Sequence, residues 1–234
     1  MFKLEEIKLR RRSWIENAEI PASLLGLSLE DCREVEANAL EVTQFWISVL
    51  RAKKIIRAAG ENSCGKGLLF QGVPGLGKTT LALALIQELI LTLTMEEFAV
   101  TPGKVLVRPC YFITFNDIIE LKTVLMNEPN EWKDRLYQGI LGESKDDAYN
   151  IRVLVIDDIG KERSSLSSWQ KNLLHHVLRT RFNRGLPTIA TTNIARPDWV
   201  ELYGESLGSF VHEAFVYVAL EPAKGDLRKP HGLG

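Results

Sequence analysis

Cysteine is scarce in this sequence: Cys32, Cys64 and Cys110 are the only three among 234 residues. They are odd in number and far apart, so no disulfide framework is suggested, and no pair has metal-ligand spacing. Idle thiols in a reducing cytosol are the expectation. Net charge is almost absent at −1, so no global field points toward nucleic acid or a membrane, and any DNA contact has to come from a local patch. Long apolar runs are missing too. The greasiest segment, Leu81 to Met95, is interrupted by Gln87 and Glu88 and is too short to span a bilayer. Lys3, Lys8, Arg10, Arg11 and Arg12 have no apolar stretch behind them, unlike a secretory signal. A cytoplasmic protein without a membrane partner is expected. No internal repeat or low-complexity tract is present. What remains is an ordinary globular composition, 45% hydrophobic and 25% charged. Its length suits one core of roughly 150–180 residues plus an appendage.

Against that plain background one segment stands out. Gly72-Val73-Pro74-Gly75-Leu76-Gly77-Lys78-Thr79 matches the phosphate-binding pattern G-x-x-x-x-G-K-S/T. Gly67-Leu68-Leu69-Phe70 leads in as a short buried strand, and Leu81 to Leu89 leads out as a helix. The motif needs that strand–loop–helix context. Its glycines let successive N–H groups turn toward one anion, and the helix N-terminus adds its positive end. Gly72, Gly75, Leu76, Gly77, Lys78, Thr79 and Thr80 form the expected nucleotide-binding set. Lys78 is suited to the β/γ-phosphates and the Thr79 hydroxyl to Mg²⁺. A Gly-rich turn before an ordinary helix is the bland alternative.

Around this loop the chain alternates. Residues 1–60 look helical and amphipathic, broken near Ile20-Pro21 and Gly26, and could form a partner-docking region ahead of an ATPase domain at 61–234. Strands are predicted at about 67–71, in an extended segment covering Val105–Val107 and Tyr111–Thr114, at Val153–Ile156, at Thr188–Thr192 and at Phe215–Leu220. Helices are predicted at about 78–93, from a cap at Asn116 or Asp117 through Leu125, somewhere within 127–150, from Ser167 or Ser168 to about Arg181, and over Asp198–Val211. Strands alternating with helices imply an α/β fold, a parallel sheet with helices on both faces and ligands at the carboxyl ends of the strands.

The second half of the site follows. Val153-Leu154-Val155-Ile156-Asp157-Asp158 is an apolar strand ending in two acids, the Walker B pattern. The strand is expected beside the first one, with Asp157 holding Mg²⁺ through water and Asp158 orienting or polarising the attacking water. A solvated acidic turn is the alternative. Asn193, after Thr191-Thr192, is placed to touch the γ-phosphate or the lytic water, unless it merely ends a strand.

These pieces, with Asp157-Asp158-Ile159-Gly160, Pro187-Thr188-Ile189-Ala190-Thr191-Thr192-Asn193 and Gly225-Asp226-Leu227-Arg228, occur in the order found in AAA+ proteins of the DnaC/DnaI helicase-loader type and the related IstB-type transposition ATPases. The sequence resembles that family over roughly residues 60–230. The resemblance implies a P-loop AAA+ fold without a full helical lid. It implies ATP and Mg²⁺ as cofactors, single-stranded DNA and a hexameric replicative helicase as partners, and ATP-dependent homo-oligomers. It makes Asn193 the first sensor and Arg228 the second, with Asp158 beside them as catalytic residues. A transposase helper is the alternative within the family, and a small-molecule kinase or a non-hydrolysing ATP switch lies outside it.

The sequence departs from the family where an arginine usually reaches a neighbouring subunit's ATP. Ser206 to His212 occupies that stretch, and no arginine occurs from Pro197 to Leu227. Weak hydrolysis or a replacement is expected. Arg181 and Arg184 could reach a neighbour or could simply be solvated at a helix end, and His212 is a further option. Tyr111, Phe112 and Phe115 with Lys122, and Trp132, Lys133 and Arg135, are DNA-contact candidates. Core packing is the competing reading for the aromatics, above all for Phe112.

Overall fold

Apolar, β-branched runs flanked by turns become the strands of one parallel sheet. The computed structural model describes residues 4–32, 37–52, 65–101, 104–160 and 166–221. In chain order the elements are α1 (Leu4–Glu16), α2 (Ala37–Ala52), β1 (Gly67–Gln71), α3 (Lys78–Thr92), β2 (Ala99–Thr101), β3 (Lys104–Val105), β4 (Cys110–Thr114), α4 (Phe115–Asn127), α5 (Glu131–Leu141), β5 (Val153–Ile159), α6 (Ser168–Asn183), β6 (Thr188–Thr192), α7 (Asp198–Tyr203), α8 (Glu205–Ala214) and β7 (Phe215–Ala219). The main sheet runs β4-β5-β6-β1-β7 with every neighbour parallel. This is the expected α/β, P-loop NTPase architecture.

Alternation along the strands divides the core in two. Leu68, Phe70, Val153, Val155 and Ile189 face α1, α2 and α3, where Trp14, Trp46 and Leu81 to Leu89 pack. Leu69, Leu154, Ile156 and Ala190 face the other way, onto α4 to α8. Successive residues of a strand point to opposite faces, so strands apolar in every position must be covered on both. Near the N-terminus, the Trp14 indole donates to the Leu106 carbonyl at 2.8 Å and meets Phe98 edge-on. The Phe112 N–H on the sheet's edge strand donates to the Ala18 carbonyl at 2.9 Å.

Several local expectations needed correction. The Walker B strand β5 is not beside β1; β6 lies between them. Val105–Val107 does not extend β4: Lys104–Val105 pairs instead with Ala99–Thr101 in a separate two-stranded ribbon. The helix over 198–211 is two helices, because Gly204 at φ 87 takes a conformation that no helix continues through. The cap of α4 is Thr114, with Asp117 completing a capping box from the third helical position. Ser167, with Gln170, caps α6 in the same way. Cys32 and Cys110 are buried thiols; burial pushes Cys32 up to about 11 and Cys110 higher still. Cys64 lies outside the described residues.

Candidate nucleotide-binding site

The loop between β1 and α3 is shaped by glycines in conformations other residues avoid. Gly75 has φ 91 and Gly77 has φ 78. Gly77 is also the N-cap of α3 and offers no side-chain cap to the helix. The start of a helix carries a positive dipole end that suits an anion. Lys78 is 7% exposed and bends back over the loop, its Nζ donating to the Gly72 carbonyl at 2.8 Å and the Val73 carbonyl at 2.9 Å. A cleft of ≈ 300 Å³ opens there, lined by Pro74, Gly75, Gly77, Lys78, Thr79, Thr80, Asp158 and Asn193.

The fold thus brings residues from three strand ends to one cleft. Gly72 and Leu76 do not line it: Leu76 packs its side chain into the core, and Gly72 serves through its carbonyl. Asp157 sits just behind, buried, where its Oδ1 accepts from the Thr79 hydroxyl at 2.9 Å and from the Thr191 hydroxyl at 2.5 Å. Burial holds the Asp157 carboxyl above the usual carboxylate range, against the pull of those two hydroxyl bonds. Asp158 is at φ 59, one of two non-glycine residues with positive φ among those described. Such a backbone costs of order 1–3 kcal/mol and survives only where surroundings impose it. Here its N–H donates to the Thr191 hydroxyl at 3.0 Å.

A cation on a short tether, an uncapped helix N-terminus, a hydroxyl and a carboxylate fit a polyphosphate carrying a hard divalent ion. Among the described residues no group of three or more His, Cys, Asp or Glu gathers as an all-protein metal cage. Mg²⁺ at a phosphate site needs only one or two carboxylates beside water and phosphate oxygens. The role of Thr191 was not legible beforehand, because a threonine in a β-branched strand looks like ordinary sheet packing.

The arginines fall elsewhere. Arg181 is fully buried and cannot reach a neighbour. Its guanidinium donates to Thr188 Oγ1 and to the carbonyls of Ile140, Ile151, Arg152 and Pro187, five bonds for five N–H donors. Desolvation, then the nearby Arg152, lowers its pKa to about 9, so it stays charged at neutral pH. Arg184 binds the Gly142 carbonyl and Glu143. Both lie toward the amino edge of the sheet, away from the cleft. Arg228 lies outside the described residues. Arg196, just before the arginine-free stretch from Pro197 to Leu227, stacks 5.0 Å over the Tyr217 ring and donates to His212 Nδ1 at 3.1 Å.

Of the DNA-contact candidates, Phe115 is fully buried and Tyr111 nearly so, and Phe112 is partly buried and packs against the core on the α1–α3 face, so core packing accounts for all three aromatics. Lys122 sits over the Tyr137 ring at 4.5 Å. Arg135 pairs with Glu131 at 2.9 Å and lies over Tyr149 at 5.1 Å, while Trp132 is 61% exposed.

Comparison with known proteins agrees with this geometry. The sequence profile of the ATPase family associated with various cellular activities (AAA) matches residues 68–201, more than half of the chain. No curated protein matches the sequence. Among solved structures, DnaI superposes with a TM-score of 0.59 at 18% identity over 88% of this chain and 96% of its own. A putative primosome component from Streptococcus pyogenes serotype M3 gives 0.53 at 20% identity, covering 93% and 98%. The replication initiator DnaA bound to AMPPCP and single-stranded DNA gives 0.55 at 14% identity, covering 84% of this chain and 50% of that one. The present chain therefore spans half the length of that DnaA.

Proposed function

This chain belongs to the ATPase family associated with various cellular activities (AAA), and from that premise we propose that it binds and hydrolyses ATP with Mg²⁺ to load a hexameric replicative helicase onto single-stranded DNA. The observation that carries the ATPase part is the convergence of Lys78, Thr79, Asp158 and Asn193 on one cleft, with Asp157 hydrogen-bonded to Thr79 behind it.

In this reading Lys78 and the N–H groups of the loop and α3 hold the phosphates, with Thr79 and Asp157 as the residues for the ion. Bound Mg²⁺ neutralises charge on the transferring phosphate oxygens. Asp158 orients and polarises the attacking water, and Asn193 contacts the γ-phosphate or that water. Arg228 is the second sensor. Residues 1–60 dock the partner and residues 61–234 form the ATPase domain, acting as ATP-dependent homo-oligomers in the cytoplasm. The loader role draws on the likeness to DnaI and the primosome component, and DNA as a partner on the likeness to DnaA. No helix among the described residues is long and apolar enough to cross a membrane.

Phosphate release measured with and without single-stranded DNA, beside Lys78→Ala, tests the ATPase reading. Turnover should be low, stimulated by DNA, and absent in the variant; equal release from both proteins removes it. Pull-down of the helicase from the same genome tests the loader role, and the absence of a complex in every nucleotide state sinks it.

A further inference from the structure

The β5–β6 ladder carries an irregularity at the site. Leu154, Val155 and Ile156 pair with Thr188, Ile189 and Ala190 in step, and pairing then resumes at Ile159 with Thr192. Two residues of β5, Asp157 and Asp158, therefore stand opposite the single residue Thr191. This is the arrangement of a β-bulge, which bends a strand and re-aims its side chains. In an unbroken strand two successive acids would point to opposite faces of the sheet. Here Asp158 adopts φ 59 and lines the cleft, while Asp157 meets Thr79 behind it.

The irregularity is clasped by side chains of β6. Thr191 is fully buried. Its hydroxyl receives the Asp158 N–H at 3.0 Å and donates to Asp157 Oδ1 at 2.5 Å. A hydroxyl has one proton and two lone pairs, and this arrangement uses the proton on the carboxylate and a lone pair on the amide. The result is a directed chain from Asp158 N–H through Thr191 to Asp157, in which each bond polarises the next. Thr192, on the other face, donates to the Ile159 carbonyl at 2.7 Å and receives the Ile194 N–H at 3.0 Å, fixing the return of the ladder.

We propose that Thr191 is the positioning residue of this nucleotide site: its one hydroxyl orients the Asp157 carboxylate for the divalent ion and holds the Asp158 backbone in the turn that aims its carboxylate at the cleft. The proposal rests on the ATPase reading above. Thr79 and Thr191 share the same carboxylate oxygen of Asp157. When the Thr79 hydroxyl is recruited by an ion, Thr191 is what keeps that carboxylate in place. Residues of this kind, which touch a ligand-bearing group rather than the ligand, typically change ion affinity or activity 10–100-fold when removed.

Thr191→Val removes the hydroxyl and keeps the branched shape; Thr191→Ser keeps the hydroxyl. The first readout is thermal stabilisation by ADP titrated with Mg²⁺, and separately by ADP in EDTA. Thr191→Val should raise the Mg²⁺ midpoint roughly 10–100-fold and leave the stabilisation in EDTA as in wild type, and Thr191→Ser should restore the midpoint. The second readout is steady-state hydrolysis, where kcat should fall about 10²-fold with little change in KM. A variant that melts lower but keeps the wild-type Mg²⁺ midpoint and kcat shows a merely structural threonine and overturns the proposal. If Thr191→Val does not fold, Thr191→Ala is measured in its place against the same criteria. Wild-type protein that binds no nucleotide overturns the ATPase reading and this inference together, whereas wild-type binding matched by the valine variant overturns only the role of Thr191.

Discussion

Arg181 shows how far a single residue can mislead when judged by its neighbours in the chain. It sits in the last turn of α6, where a basic residue favours the helix dipole and faces water. The structure instead buries it with all five donors on Thr188 and four carbonyls. Those carbonyls belong to the turns before β5 and β6 and to the end of α5, so one guanidinium ties three elements together. Arg181→Leu takes a donor from five buried acceptors, Thr188 Oγ1 and the four carbonyls, and should cost about 3 kcal/mol or more, a fall of roughly 6–12 °C in melting temperature. Arg181→Lys, with three donors from one point, should recover little of it. A leucine variant melting within a degree of wild type contradicts this account. The histidines make a second residue-level test. His175 accepts from Arg179 at 3.0 Å and His212 from Arg196, contacts that need a neutral ring. Desolvation, then the adjacent arginine, lowers both pKa values below the ordinary 6.5. A depressed imidazole favours the folded state in its neutral form. Its contribution is present above about pH 6.5 and is lost as pH falls from there through the folded value. Ring C–H signals followed by NMR should give midpoints below 6.5 for both; a midpoint above it excludes the acceptor role.

At the scale of elements, α3 carries more than its phosphate-facing end. Gln87, which breaks its apolar run, is 2% exposed rather than on a polar face. Its Nε2 donates to the carbonyls of Leu24 and Leu83, and its Oε1 accepts from the Gly26 N–H at 2.7 Å. The chain break seen in sequence at Gly26 is thus pinned to the middle of the helix that begins at Lys78. Gln87→Leu removes the side-chain partner of the part-buried Gly26 N–H and Leu24 carbonyl and should cost about 1 kcal/mol. It should lower the urea midpoint at constant m while ADP affinity stays unchanged, because α3 keeps its N-terminus. An altered ADP affinity would tie the 22–26 segment to the site. Elements such as β1, α3, β6 and α6 were legible because their periods, caps and flanking glycines agree. β3, the α7–α8 break and the bulge in β5 were not, because each depends on a partner strand or on one glycine conformation that periodicity does not encode.

For the whole molecule, strand order decides what the site contains. With β6 inserted between β1 and β5, the carboxyl end of β6 stands between the phosphate loop and the twin aspartates, so Thr191 and Asn193 have somewhere to act. The same order leaves β7 at an edge of the sheet, and Arg196 rests over Tyr217 of that strand. With Arg181 buried and Arg184 held on Gly142 and Glu143, exposed Arg196 is the arginine we expect to serve the neighbouring protomer of the proposed homo-oligomer. Arg196→Ala and Lys78→Ala should each abolish DNA-stimulated hydrolysis, and a mixture of the two should regain a measurable fraction by pairing an intact loop with an intact arginine. A mixture as inactive as its components, from proteins that still co-assemble on single-stranded DNA, rules Arg196 out.

The phosphate loop, the acid-ended strand, the Thr-Thr-Asn that follows and the two-faced parallel sheet are all written in local sequence, because each is a pattern whose residues are chemically constrained where they stand. Which strand lies beside which, that two acids share one threonine hydroxyl, and that an arginine at a helix end is a buried tie rather than a reaching hand emerge from folding alone. Those are relations between residues some 30 or more positions apart, and they follow from burial and hydrogen-bond satisfaction across the assembled core, which no window along the chain contains.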